Sequence, residues 1–338
     1  MGNHSKEARS RTMSNIPSKN TKPEETVRKC LFAHGLMGCK TLFIIGNGFD
    51  LYHGVQSRYE DFHKWLMVNR DWNRFEAVEQ HFIAPDLWSD LEENLGTFDS
   101  EKCGEDWSIA TPLGIFINGQ LIGTARELNE DFDEQLREWR EEMMCGLSEW
   151  VKTLRQSGNA PKLPIVSSDA QYLNFNYTRT LEDYYGIDSC QIRHVHGVTG
   201  LSWDCFHLGH DFEVEYPLDE DEKDCNPDVL DEDRVTPVQQ LNDHVRKWRK
   251  PVQELIQRNA DFWESLREVS MVVVLGFSFG RVDEPYIRKI SEVVRQDAVW
   301  RCSWYGKDKD VKIGKILTSV GVRNIELFRL DEGVSRLY

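Results

Sequence analysis

Four short runs place polar, reactive side chains beside glycine: Gly46-Asn47-Gly48-Phe49-Asp50, Asn176-Tyr177-Thr178, His194-Val195-His196-Gly197, and Gly276-Phe277-Ser278-Phe279-Gly280 followed by Asp283. Glycine lets a backbone approach phosphate or ribose without a Cβ in the way. Asparagine, threonine and serine supply directional hydrogen bonds, and the ordinary pKa of histidine suits proton transfer near neutrality. Together these residue types suit nucleotide binding coupled to a proton transfer. Each run also has a plainer reading as a helix cap, a strand end or a tight turn. Four at once are harder to explain that way. Two other chemistries stay open. His194 and His196 alternate along a strand and so face one side, where His207, His210 and Asp211 would complete a metal site for phosphodiester hydrolysis. A nucleotide-binding or sensing module without turnover would need only the glycines and the polar strand ends.

The elements that must position these runs are legible in the pattern of apolar residues. Thr41 to Ile45 is an unbroken apolar or β-branched run, as expected of a strand covered on both faces, and it empties into the Gly46 to Gly48 turn. Tyr59, Phe62 and Trp65 follow at helical spacing, which begins a helical insert over about residues 58–160. Residues 97–124 read as loop with small elements. An apolar stripe of Leu128, Phe132, Leu136, Trp139, Met143, Leu147, Trp150 and Leu154 predicts one long helix over 126–155. That stripe packs on the sheet or a second helix, or it forms a coiled-coil seam in a homo-oligomer. Ile165 to Val166, Tyr172 to Phe175 and Cys190 to Val195 read as strands, with a short helix from Thr180 to Tyr185. A helical stretch from Thr236 to Leu266 is expected to break at Pro251. The C-terminal part then alternates strand and helix: 271–275, 284–295, 299–305, 311–320 and 324–330. The pattern predicts an α/β fold with a Rossmann-like parallel sheet and helical insertions, in which ligands bind at the carboxyl ends of the strands.

Bulk properties narrow the class further. The 338-residue chain carries a formal charge of −16, unevenly spread: residues 1–40 hold eight basic and three acidic side chains. Such a balance argues against strong nucleic-acid binding by the main domain over 41–338. Twelve acids crowd Asp211 to Asp233, so about 203–234 reads as a solvated acidic loop. Eight scattered cysteines without a Cys-x-x-Cys pair suit reduced thiols and no zinc ribbon, and no metal is expected. The absence of a long apolar run predicts a cytoplasmic protein that does not enter the membrane.

Two resemblances extend this reading. Arg9-Ser10-Arg11-Thr12-Met13-Ser14 and Lys19-Asn20-Thr21-Lys22-Pro23-Glu24 resemble the opening of the very-short-patch repair endonucleases, so residues 1–40 read as a basic appendage shaped like a truncated start of that family. The family's later catalytic residues have no counterpart here. Over about 41–330, Gly46-Asn47-Gly48-Phe49-Asp50-Leu51-x-His53-Gly54, Tyr59-x-Asp61-Phe62, Phe175-Asn176-Tyr177-Thr178, His194-Val195-His196-Gly197, Leu208-Gly209-His210 and Gly276-Phe277-Ser278-Phe279-Gly280-x-x-Asp283 resemble the AbiH-type bacteriophage abortive-infection family. That family is in turn distantly similar to the sirtuin-like fold. What the resemblance implies is an antiphage effector with a phage-derived trigger that binds NAD or a related nucleotide and hydrolyses it. Asn176, His196 and Asp50 would be catalytic, with His196 as general base. Gly46, Asn47, Gly48, Phe49, Asp50, Tyr177, Thr178, Gly276, Ser278 and Asp283 would hold the nucleotide. Thr178 stands where sirtuin-like proteins commonly carry aspartate, and the paired cysteines of a deacylase zinc module are missing.

Overall fold

Five residues from Thr41 to Ile45 form the first strand, β1, and all but the first are buried. The computed structural model describes residues 40–100, 102–103, 115–117, 120–123, 125–156, 160–213, 237–306 and 309–330. A two-stranded antiparallel ribbon, β2 (Ile115–Ile117) and β3 (Gln120–Gly123), stands apart from the main sheet. That sheet adds β4 (Gln171–Asn174), β5 (Ile192–His194), β6 (Met271–Leu275), β7 (Val299–Trp304) and β8 (Asn324–Arg329). All pairings in it are parallel, and the strands lie in the order β5-β4-β1-β6-β7-β8. Numbered among themselves, they run 3-2-1-4-5-6, the doubly wound order of Rossmann-like proteins. The order reverses between β1 and β6, and the carboxyl ends of the strands at such a reversal are where ligands bind in open α/β sheets.

Both faces of the sheet are covered, which explains why its central strands show no apolar alternation. On one face Leu42, Ile44, Leu173, Val195, Val272 and Val274 pack with α5 (Val252–Arg258), α6 (Ala260–Ser265), α7 (Glu284–Val293) and α8 (Lys309–Ser319). On the other face Phe43, Ile45, Tyr172, Val273 and Leu275 pack with Phe49, Leu181 and Ile187. The helical stretch breaks between α4 (Pro237–Lys247) and α5, which begins just after Pro251, and a second break falls at Asn259.

The long connection from β1 to β4 builds a helical core of its own. It contains α1 (Asn47–Tyr52), α2 (Tyr59–Asn69), single-turn pieces between Trp72 and Thr97, and α3 (Ala125–Thr153). Leu136, Trp139, Met143, Leu147 and Trp150 of α3 are buried against α2, α4 and those turns. The described part of the stripe is therefore filled from within the chain, as helix packing and not as a seam between copies. One sequence expectation fails: Ile165 lies in a turn and Val166 outside any strand, because Tyr172 Oη receives the Ser167 amide and donates to the Ser167 carbonyl, bending the segment before β4. The basic segment 1–39 and the acidic stretch 214–236 lie outside the described residues.

Candidate functional site

The turns leaving β1 and β6 lock together backbone to backbone. The Gly46 amide donates to the Leu275 carbonyl at 3.0 Å, and the Gly48 amide to the Gly276 carbonyl at 2.8 Å. Gly276 has φ of +63°, and a Cβ there would stand 2.1 Å from the Phe49 nitrogen. A Cβ on Gly46 would meet Phe277 Cα at 2.6 Å. Contact between the two turns therefore already requires glycine, before any ligand is considered. Phe279, two residues further on, is held at φ of +53°, a left-handed backbone costing a non-glycine residue about 1–2 kcal/mol. Its buried ring packs on Phe277 with centroids 5.1 Å apart.

A cavity of about 580 Å³ opens over these turns at the carboxyl ends of the sheet. Gly46, Asn47, Gly48, Asp50, Asn176, Tyr177, Thr178, His196, Gly276, Ser278 and Asp283 all line it. Phe49 does not. Its fully buried ring turns into the core against His53 and Tyr185, because residue 49 sits on the inner side of α1; this corrects its expected role at the ligand. The helical insert supplies a wall through Tyr59, Glu92, Trp150 and Leu154, and the ends of β7 and β8 contribute Trp304, Tyr305 and Leu330.

Two polar clusters border the cavity. In the first, Asp50 is buried in the first turn of α1, with Thr178 Oγ1 donating to Oδ2 at 2.5 Å and Thr180 Oγ1 to Oδ1 at 2.6 Å. Burial pushes the Asp50 carboxyl up to about 6, even though hydrogen bonds from Thr178, Thr180 and Asn176 pull the other way. Asn176 Nδ2 donates to the Gly46 carbonyl at 3.0 Å, tying the end of β4 to the β1 turn.

The second cluster is centred on Lys250, whose side chain is wholly buried. Its Nζ lies 2.8 Å from Glu92 Oε2, 3.5 Å from Asp283 Oδ1 and 3.4 Å from His196 Nδ1. The other ring nitrogen of His196 is Nε2. That nitrogen is 3.3 Å from Asp283 Oδ1 but is not aligned to hydrogen-bond it. Burial would raise the Asp283 carboxyl, yet Lys250 and His196 outweigh it and hold the group at about 2. Tyr59 Oη donates to Glu92 Oε1 at 3.1 Å. Four separate elements meet here. Glu92 comes from a one-turn helix, Asp283 from the start of α7, and His196 from just past β5. Lys250 comes from a stretch bridged to His210 immediately before Pro251.

The histidines do not gather. His194 lies in β5 level with Asn174, and its Nε2 pairs with Glu182 Oε1 at 3.1 Å. His196 lies beyond the strand end, where the turn into Gly197 breaks the alternation, and it packs instead on Phe175 and Tyr286. His210 is buried and bonded to the Val245 carbonyl. Among the described residues no group of three or more histidine, cysteine or acidic side chains could hold a metal ion. The alternative metal site at His194, His196, His207, His210 and Asp211 is therefore not assembled among the described residues.

Sheet order, interlocked turns and a cavity at the order reversal define the class: a doubly wound α/β protein with a cavity at the carboxyl ends of β1 and β6. A family model described as bacteriophage abortive infection AbiH matches residues 42–304, and the chain belongs to that family. No curated protein matches it. Among the described residues no helix is long and apolar enough to cross a membrane.

Proposed function

We propose that this chain is an abortive-infection effector that binds a nucleotide, NAD or a close relative, across the cavity and hydrolyses its nicotinamide–ribose bond. One observation carries the reading: polar residues from separate strand ends converge on a single cavity where the strand order reverses. Its volume lies within the range of small-molecule sites. Aromatic walls at Tyr59, Trp150 and Trp304 suit a base and a nicotinamide ring. In the reaction the ribose C1′–nitrogen bond breaks with its electron pair passing to nicotinamide, a water oxygen bonds to C1′, and His196 takes the water proton. His196 can do so at Nδ1 once the long contact from Lys250 gives way, since Lys250 keeps Glu92 and Asp283. Asn176 and Asp50 hold the β1 and β4 ends in register and face ribose.

Incubating the full chain with NAD and following released nicotinamide by chromatography tests this directly. Turnover is expected in the parent, with a loss of about 100-fold or more in His196→Ala and Asn176→Ala at unchanged melting temperature. A folded His196→Ala variant that turns over at the parental rate removes the general base from the proposal. A second reading, a module that binds nucleotide without turnover, is favoured by one feature: both Asp50 oxygens and His196 Nδ1 already have donors. Tight binding without nicotinamide release would select it.

A further inference from the structure

The polar groups around the cavity are sorted by charge. On the inner side, Glu92 and Asp283 line the cavity while Lys250, which balances them, lies behind it and does not line it. Glu92 and Asp283 thus present two carboxylates to the cavity in a largely buried wall, with one lysine behind them. A cation that enters the cavity is attracted to such a wall. The exposed mouth holds three cations against one acid, Asp90. Arg58, Lys309 and Lys312 line the cavity and are exposed, and none of them has a carboxylate partner among the described residues. Lys309 and Lys312 lie one turn apart on α8 and Arg58 immediately precedes α2, so the cations come to the cavity from both the sheet and the insert.

Resting on the nucleotide reading above, we infer that the ligand is dipolar and enters in one orientation, with a cationic ring inward against Glu92 and Asp283 and phosphates outward at Arg58, Lys309 and Lys312. Pyridinium attached to ribose is positive, and a pyrophosphate is the anion that arginine and lysine recognise best. Oxidised NAD has both groups at opposite ends of one ribose. The reduced dinucleotide has nearly the same shape but a neutral ring, so the two forms differ in the property that the inner wall reads. A wall that presents two carboxylates also favours the oxocarbenium-like charge that develops on ribose as its bond to the ring breaks.

The test is the affinity of the full chain for oxidised and reduced NAD, measured by calorimetry. The oxidised form is expected to bind at least about tenfold more tightly. Glu92→Gln should shrink that ratio while Arg58→Ala with Lys312→Ala should weaken both forms by a similar factor. Should Glu92→Gln fail to fold, Asp283→Asn on the same wall takes its place, with a similar reduction in the ratio. Equal affinity for both forms, or a ratio that neither acid substitution moves, overturns the orientation and leaves nucleotide binding standing. Binding of neither form overturns the nucleotide reading itself, and the orientation with it.

Discussion

Asp50 and Asp283 are buried acids that their surroundings push in opposite directions, and the two should leave opposite marks on stability. The Asp50 carboxyl, raised from 3.8 to about 6, holds its proton more tightly in the folded chain than in the unfolded one. Its contribution therefore falls as pH rises through that window and is level above it, a loss of about 3 kcal/mol in all. Urea unfolding of the parent and of Asp50→Asn at several pH values between 4 and 7 should show the parent losing stability relative to the variant as pH rises; parallel curves would mean that burial costs this carboxylate little. Asp283 runs the other way. Its carboxyl sits at about 2, so its stabilising contribution is complete above pH 3.8 and is lost as pH falls toward 2. Asp283→Asn at neutral pH is expected to cost about 3–5 kcal/mol, because it takes from the buried Lys250 one of its two carboxylates.

At the scale of elements, the interlocked turns after β1 and β6 make a sharper demand than either strand. Gly276→Ala must move the Phe49 backbone or break the turn, whereas Gly186→Ala meets nothing within 4 Å and bears only the left-handed strain of φ +74°. Chemical denaturation should separate them, with about 1 kcal/mol lost at Gly186 and about 3 kcal/mol or more at Gly276. Similar losses at both positions would deny the interlock. Much of this was legible beforehand. Buried parallel strands announce themselves as unbroken apolar runs, and the polar residues that close them pointed to the cavity. Phe49 misled because a motif read along the chain does not say which side of a short helix faces inward. Lys250 and Glu92 gave no signal at all: a lysine before proline and a glutamate in an acidic turn look like surface, and only the packing of the insert on the sheet brings them together.

For the whole molecule, a formal charge of −16 is the largest electrostatic fact, and it works against compactness through self-repulsion. Raising sodium chloride from about 20 mM to about 200 mM should therefore raise the melting temperature by a few degrees, as the screening length contracts toward about 7–10 Å. A fall would mean that local ion pairs such as Lys250 with Glu92 outweigh the net repulsion. The sheet order also has a meaning in time. Strand β1, the first among the described residues, pairs on one side with β4 and on the other with β6, and the cavity needs Ser303 and Trp304 beyond that. Such pairings are long-range and slow to form, since a long loop must close before any contact rewards it. A ribosome that has emitted the chain only through β5 has exposed Gly46 and Asn176 but neither Gly276 nor Asp283, so a nascent or truncated product cannot hold the finished site. In a family whose business is abortive infection, the topology keeps the site from existing until nearly the entire polypeptide has been made.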